Sequence, residues 1–569
     1  MARDPRAGRV RGPGQGAEVA ALVLLVLVPL FVLLAAWASA ALAAGPVPMN
    51  PMRWALVTRE WATLAWVYFA GILLGVALLG VGLAVLFARA GGKKSRLDHL
   101  ARKMSTARDQ RELTEDAQAT EAERLGVDPS CGPGLPLGES VSTGKRLASS
   151  WEWTQIWVMG TRAGKTSCVC IPQVVATGGP VVATSNKRDI VDATRGPRSE
   201  RGPVWVHDPQ QLAEENPTWW WSPVLHTDTV ERADEVASLM AAASRSAEAR
   251  SDAYFDTAAQ QVLSSLFLAA HHGGYTVLDI WDWITDPEDK TPELSLRAAG
   301  FSEAARFIRT SREMTAKQRD GVYGSMMPMM AWTRSERVRP WVTPATGDEP
   351  PRREFKPAEF VATTQTLYLL SKEGAGSARA LTACLTVAVC EAAERLGVRQ
   401  GGRLSRPMAV ILDEAANVCR WPSLPDVYSH YGSRGIVITT ILQSWAQGVD
   451  AWGKEGMAKM WSAANVRGVG RGIAQDEFAS SVSKLIGDHE RIRQEISRSR
   501  GHSTVSPRVH RERIMDEADV AALPGGRAVL FATGTPAVLL KLRHWSQLDA
   551  DTVDAIEQST AAYQGQVSA

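Results

Sequence analysis

The octapeptide Gly160-Thr161-Arg162-Ala163-Gly164-Lys165-Thr166-Ser167 lies between a segment built like a strand and one built like a helix. Before it, Trp151–Gly160 is rich in aromatic and β-branched residues. After it, the chain is apolar with a helical pattern until Thr177-Gly178-Gly179-Pro180 ends the run. Strand, turn and helix together form the setting of a phosphate-binding loop, in which backbone N–H groups and the helix N-terminus surround phosphate oxygens. In such a loop Lys165 neutralises the outer phosphates and the Thr166 hydroxyl ligates magnesium. One position departs from the pattern: Met159 stands where the first glycine is usual, with Gly160 directly after it. That position only turns the chain out of the strand, a task the neighbouring glycine can take over.

The rest of the chain supplies the partners this chemistry needs. Gly178–Val191 reads as a short strand ending in polar residues, then a helix start. Met408–Leu412 is a buried-strand run ending in the adjacent acids Asp413 and Glu414. The first acid at such a strand end holds magnesium and the second polarises the attacking water. Ile436–Leu442 is a further buried strand, and Gln443 at its end is placed to sense a terminal phosphate. These elements in this order predict an α/β nucleoside triphosphatase using Mg2+.

Two apolar runs precede this domain. Val19–Ala44 has no charged residue, and Trp61–Ala88 is interrupted only by Thr63 and Tyr68. Each is roughly 26 to 28 residues, enough to cross a hydrocarbon core of about 30 Å with some tilt. Arg3, Arg6, Arg9 and Arg11 flank the first, and Arg89, Lys93, Lys94, Arg96, Arg102 and Lys103 follow the second. The connection carries only Arg53 and Arg59. Both ends are therefore expected in the cytoplasm. A cleaved signal peptide at "ASAALAAG" is the competing reading, and it too leaves the bulk of the chain cytosolic.

Charge and cysteine content set limits. Among 569 residues, 63 basic against 61 acidic leave a net charge of +2, which excludes a wholesale electrostatic clamp on nucleic acid. The six cysteines form no CxxC pair, as expected in a reducing compartment. Cys168 and Cys170, the Met326-Met327 and Met329-Met330 cluster and the Trp219-Trp220-Trp221 run are read as packing, and His271-His272 as residues capping a helix end. Arg467, Arg471 and the stretch Arg491–Arg513 are candidate contacts for a polyanion, and the last is expected to lack regular structure in part.

The pair of N-terminal apolar runs, "GTRAGKT", "VILDEAANV" and "SRGIVITTILQSWAQ" together resemble the coupling-protein ATPases of conjugative type IV secretion, the TraG/TraD group, relatives of FtsK-type DNA pumps. "FDTAAQQVLSSLFLAA" resembles a helix that follows the first nucleotide motif in that group, and "LPGGRAVLF" its closing strand. The resemblance implies a RecA-like P-loop NTPase domain with an all-α insertion behind two transmembrane helices. It divides the chain into a cytoplasmic tail (1–18), a first span (19–44), an extracytoplasmic loop (45–60), a second span (61–88), a juxtamembrane helix and linker (89–145), the first part of the NTPase domain (146–230), the insertion (231–340), the second part (341–545) and a C-terminal tail (546–569). It implies a hexamer in the inner membrane that takes DNA, with a relaxase or other secretion substrates, to transfer-channel proteins. Residue by residue, Gly160–Ser167 would bind ATP, Thr166 and Asp413 the magnesium, and Lys165, Glu414 and Gln443 would act in hydrolysis. Arg434, in the turn before the sensor strand, would reach a neighbouring subunit's site. The turn Ser185-Asn186-Lys187-Arg188-Asp189 departs from the group's acidic-Pro-Lys pattern, which leaves it without an assigned role. A double-stranded DNA pump of the FtsK kind, an ATPase driving protein secretion and an inactive membrane scaffold are the alternatives.

Overall fold

The computed structural model describes residues 95–569 except 245–252, 348, 373–377, 500–501 and 565–569, together with isolated positions before 95. The chain falls into two compact units, Met1–Ser95 and Arg96–Ala569. The tail 1–18, the loop 45–60 and most of both expected spans lie outside the described residues. Among the described residues no helix is long and apolar enough to cross a membrane.

Short runs rich in Val, Ile, Leu and Ala form the middle of the second unit, because strands covered on both faces need mostly apolar side chains, and the few polar ones among them are buried too. In chain order the strands are β1 (Leu135–Ser140), β2 (Arg146–Ser149), β3 (Gln155–Val158), β4 (Val181–Ser185), β5 (Val204–His207), β6 (Trp219–Trp220), β7 (Arg353–Glu354), β8 (Thr366–Leu370), β9 (Met408–Leu412), β10 (Ile436–Leu442), β11 (Val466–Val469), β12 (Asp488–Ser499), β13 (His502–Arg513), β14 (Arg527–Ala532) and β15 (Thr535–Lys541). Eleven of them form one sheet in the order β2-β1-β15-β14-β11-β3-β10-β9-β4-β8-β5. From β11 to β5 all neighbours are parallel, and the strands from β14 outward are antiparallel. Residues of β3, β4, β8, β9 and β10 are buried throughout.

The chain leaves β3 for β4 by passing over β10 and β9, and later runs from β10 to β11 across β3. Helix connections thus diverge beside β3, and a crevice opens at the carboxyl ends of the strands where that happens.

Helices fill the segment between β6 and β7, as the sequence predicts: Val230–Ser244, Ala253–Gly273, Val277–Thr285, Thr291–Ala298, Ser302–Arg312 and Ala316–Met330. Met326, Met329 and Met330 are core residues there, while Met327 is exposed. His271 and His272 end the longest of these helices with their rings against the carbonyl oxygens of Val224 and Asp228. Trp219 packs between Trp205, Trp341 and Phe355 at ring distances of 5.5, 5.7 and 5.3 Å.

Three expectations need correction. The supposed linker before residue 145 holds β1, which pairs with β15 through Glu139 and Lys541. The basic stretch Arg491–Arg513 lies in a regular antiparallel hairpin, β12 with β13, in register from Asp488↔Arg513 to Ser499↔His502. The supposed C-terminal tail contains a helix, Ala550–Gln564, packed on the helix Asp189–Ser199. Arg467, on β11, is half-buried with its guanidinium 5.9 Å from the Trp461 ring centre.

Candidate nucleotide site

The loop after β3 enters the crevice by a sharp backbone path. Met159 N–H donates to the Leu442 carbonyl at 2.9 Å and Gly160 N–H to the Arg471 carbonyl at 2.8 Å, so the chain stays in the sheet for two residues past β3. A β-carbon on Gly160 would stand 2.9 Å from Gly472 Cα, so the two backbones touch there. The Met159 side chain is fully buried, and it fills the space over Gly470, where a β-carbon would meet it at 2.7 Å. Methionine at this position is thus a core residue behind the loop and does not occupy the phosphate cradle. Arg162 at φ 56° and Gly164 at φ 90° then turn the chain into the π-helical turn Thr166–Cys170 and the helix Ile171–Ala176. At Gly164 any side chain would be strained, and its β-carbon would meet Cys168 Sγ at 3.1 Å.

The loop opens on a cleft of about 790 Å³ lined by Thr161–Ser167, by Asp413, Glu414 and Gln443, and by residues from β4, its following turn and the C-terminal segment. Lys165, Asp413 and Glu414 are all buried. Thr166 Oγ1 donates to Asp413 Oδ2 at 3.3 Å. Lys165 Nζ lies 3.6 Å from Glu414 Oε1. Gln443 Nε2 donates to the same Glu414 oxygen at 2.7 Å, and Asn186 Nδ2 donates to Oε2. Glu414 itself has left-handed backbone angles, φ 52° and ψ 42°. Such a conformation costs a β-substituted residue of order 1 kcal/mol or more and persists where its surroundings hold it. Here it carries the chain from β9 into the helix Ala415–Val418 while the carboxylate stays fixed by two amide donors and the Lys165 ion pair.

Burial pushes the Asp413 carboxyl up to about 6, against the lowering effect of Lys165, with Glu414 raising it further. Its Oδ1 is buried with no hydrogen-bond partner. A carboxylate oxygen left bare beside a threonine hydroxyl fits a hard cation. Among the described residues no group of three or more His, Cys, Asp or Glu could hold a metal by itself. The donor set therefore suits magnesium arriving with phosphate oxygens, which complete its shell, better than a resident ion.

Sequence reasoning left out Asn186, Lys187 and Asp189. The turn after β4 lines the cleft and supplies one of the two hydrogen-bond donors to Glu414. Its position at the carboxyl end of a parallel strand beside β9 was the available signal. Trp545 and Thr560 also line the cleft, from the segment expected to be a tail. Gly160 sits behind the lining. Arg434 is the one predicted catalytic residue the fold keeps away: it precedes β10, whose seven residues span about 23 Å before Gln443. There it pairs with Glu394 at 3.2 Å. Within one chain it has no part in the cleft.

Residues 407–525 match a family model described as the TraM recognition site of TraD and TraG, a stretch that holds Asp413, Glu414 and Gln443. The fold is that of a bacterial conjugative coupling protein. TrwBdeltaN70 in its unbound monoclinic form superposes with a TM-score of 0.54 at 16% identity, over 75% of this chain and 92% of that one. The plasmid coupling protein TrwB in complex with the GTP analogue GDPNP gives 0.52 at 16% identity, over 74% and 92%, and TrwB with ADP and Mg2+ gives 0.51 at 16%, over 75% and 91%. No curated protein sequence matches the chain. The TraG/TraD resemblance read from the motifs is thus met by the family model and by the fold, and the chain is TraG/TraD-like.

Proposed function

We propose that this protein is the membrane-anchored ATPase that couples DNA to a conjugative transfer channel. The observation that carries the reading is the buried cluster at the loop: Glu414 held by Lys165, Asn186 and Gln443, beside an Asp413–Thr166 pair with one bare carboxylate oxygen. A triphosphate seated on Gly164–Ser167 draws Lys165 onto its outer oxygens and releases Glu414 from that ion pair. Glu414, still oriented by Asn186 and Gln443, then accepts a proton from the water that attacks the terminal phosphorus, as the bond to the bridging oxygen breaks. Gln443, at the end of β10, senses the terminal phosphate and passes its loss into the helix Trp445–Ala463, whose first turn follows directly. Magnesium held by Thr166 and Asp413 would spread the phosphate charge.

The anchoring part of the reading rests on the two apolar runs and their basic flanks, with the ATPase domain in the cytoplasm. A homo-hexameric ring with single-stranded DNA and its attached relaxase as cargo follows from the family resemblance, and so does docking on channel proteins. The description of the matched family adds a TraM-like partner. Arg434 serves in this scheme only if a neighbouring subunit receives it. The test is nucleotide hydrolysis by the full-length protein with and without single- and double-stranded DNA, beside Lys165→Ala and Glu414→Gln. Turnover that DNA stimulates and both substitutions abolish supports the motor. Turnover indifferent to DNA points to a protein-secretion ATPase, and none with either cargo removes the assignment.

A further inference from the structure

A nucleotide needs a polar cradle for its phosphates and an apolar face for its base. Beyond the loop, the apolar side chains lining the cleft are Ile171, Ala193 and Trp545, and the others are polar or charged. These three belong to one small cluster with Val175 and Ile556, separate from the main cores. Ile171 lies six residues past Lys165 on the helix that leaves the loop, so the cluster begins within two helical turns of the phosphate site.

Trp545 is held in place from the C-terminal side. It opens the 3-10 turn Trp545–Gln547, which His544 caps by accepting from Ser546 N–H at 3.2 Å, and the His544 and Trp545 rings lie 5.1 Å apart. The following helix is fastened to Asp189–Ser199. Ser559 Oγ donates to the Asp192 carbonyl and accepts from Gly196 N–H at 2.9 Å. Arg188 donates to the Tyr563 carbonyl at 2.7 Å, and the Arg195 guanidinium lies 4.5 Å over the Tyr563 ring. Trp545 is partly buried against the cluster of Ile171, Val175, Ala193 and Ile556, and it also lines the cavity that holds the phosphate loop.

Resting on the nucleotide reading above, we propose that Trp545 is the stacking face for the nucleotide base and that the C-terminal segment is a working part of the nucleotide site. Stacking on an indole tolerates any base, and among the described residues Thr560 is the one polar side chain that this segment adds to the cleft. The site therefore takes nucleoside triphosphates with little preference among their bases, adenine and guanine included.

Binding of ATP, GTP and inorganic tripolyphosphate to the full-length protein tests this, with Trp545→Ala, Trp545→Phe and Lys165→Ala. Trp545→Ala should weaken ATP and GTP together by roughly tenfold or more while tripolyphosphate stays within about twofold, and Trp545→Phe should regain most of the loss. Lys165→Ala should weaken all three. Unchanged ATP affinity in Trp545→Ala overturns the inference, and so does an equal loss of tripolyphosphate, which would mean that Trp545 only shapes the loop. Wild-type protein that binds tripolyphosphate as tightly as ATP leaves the phosphate site standing and removes the base site. Wild-type protein that binds none of the three removes both readings.

Discussion

Replacing Asp413 with asparagine should make the empty protein more stable while disabling its site. The carboxyl is almost fully buried, and its rise from 3.8 to about 6 comes mainly from that burial. At about 1.4 kcal/mol for each tenfold change in proton affinity, holding the charged form inside costs up to about 3 kcal/mol above pH 6. The sign follows from proton binding. A folded-state carboxyl that keeps its proton longer than the unfolded chain favours folding at low pH, and the advantage is lost as pH rises from about 4 to 6. Asparagine does not titrate and still accepts from Thr166, so the gap between variant and wild type should widen by about 1.4 kcal/mol between pH 5 and pH 8. Denaturation of nucleotide-free protein at the two pH values measures it. A gap that does not change with pH would refute the burial argument. In the same variant, nucleotide binding should lose its dependence on magnesium.

Other substitutions separate the parts of the site. Gly164→Ala forces an L side chain into φ 90° and against Cys168 Sγ, so nucleotide affinity in equilibrium binding should fall at least about tenfold, with a stability loss of about 1–2 kcal/mol. Met159→Gly, which restores the usual loop pattern, should not improve binding; it empties a buried site over Gly470 and should cost about 2–5 kcal/mol in denaturation. Asn186→Ala and Gln443→Ala each remove one donor from Glu414, so single-turnover hydrolysis should drop about ten- to hundredfold while ATP affinity changes little.

What the sequence determined by itself was whatever depends on neighbours in the chain. Met408–Leu412 and Ile436–Leu442 could be bounded residue by residue, because a strand buried on both faces is a nearly continuous run of apolar and β-branched residues, and charged or amide side chains end it abruptly. The loop, the acid pair and Gln443 followed, since each sits at such an end. The helices of the insertion were legible from their periodicity for the same local reason. The tertiary structure decided what depends on distant partners. β1 looked like a linker because Pro136 and Gly138 interrupt it, and its partner β15 lies about 400 residues on. The β12–β13 hairpin is charged and lacks an apolar alternation, so nothing local marks its register. Asn186 became a ligand of Glu414 only when β4 was set beside β9, and Trp545 reached the cleft only when the last helix closed on Asp189–Ser199. Arg434 shows the converse: nine residues before Gln443 in sequence, it stands at the opposite end of the same strand, because an extended strand separates its two ends as far as a chain can.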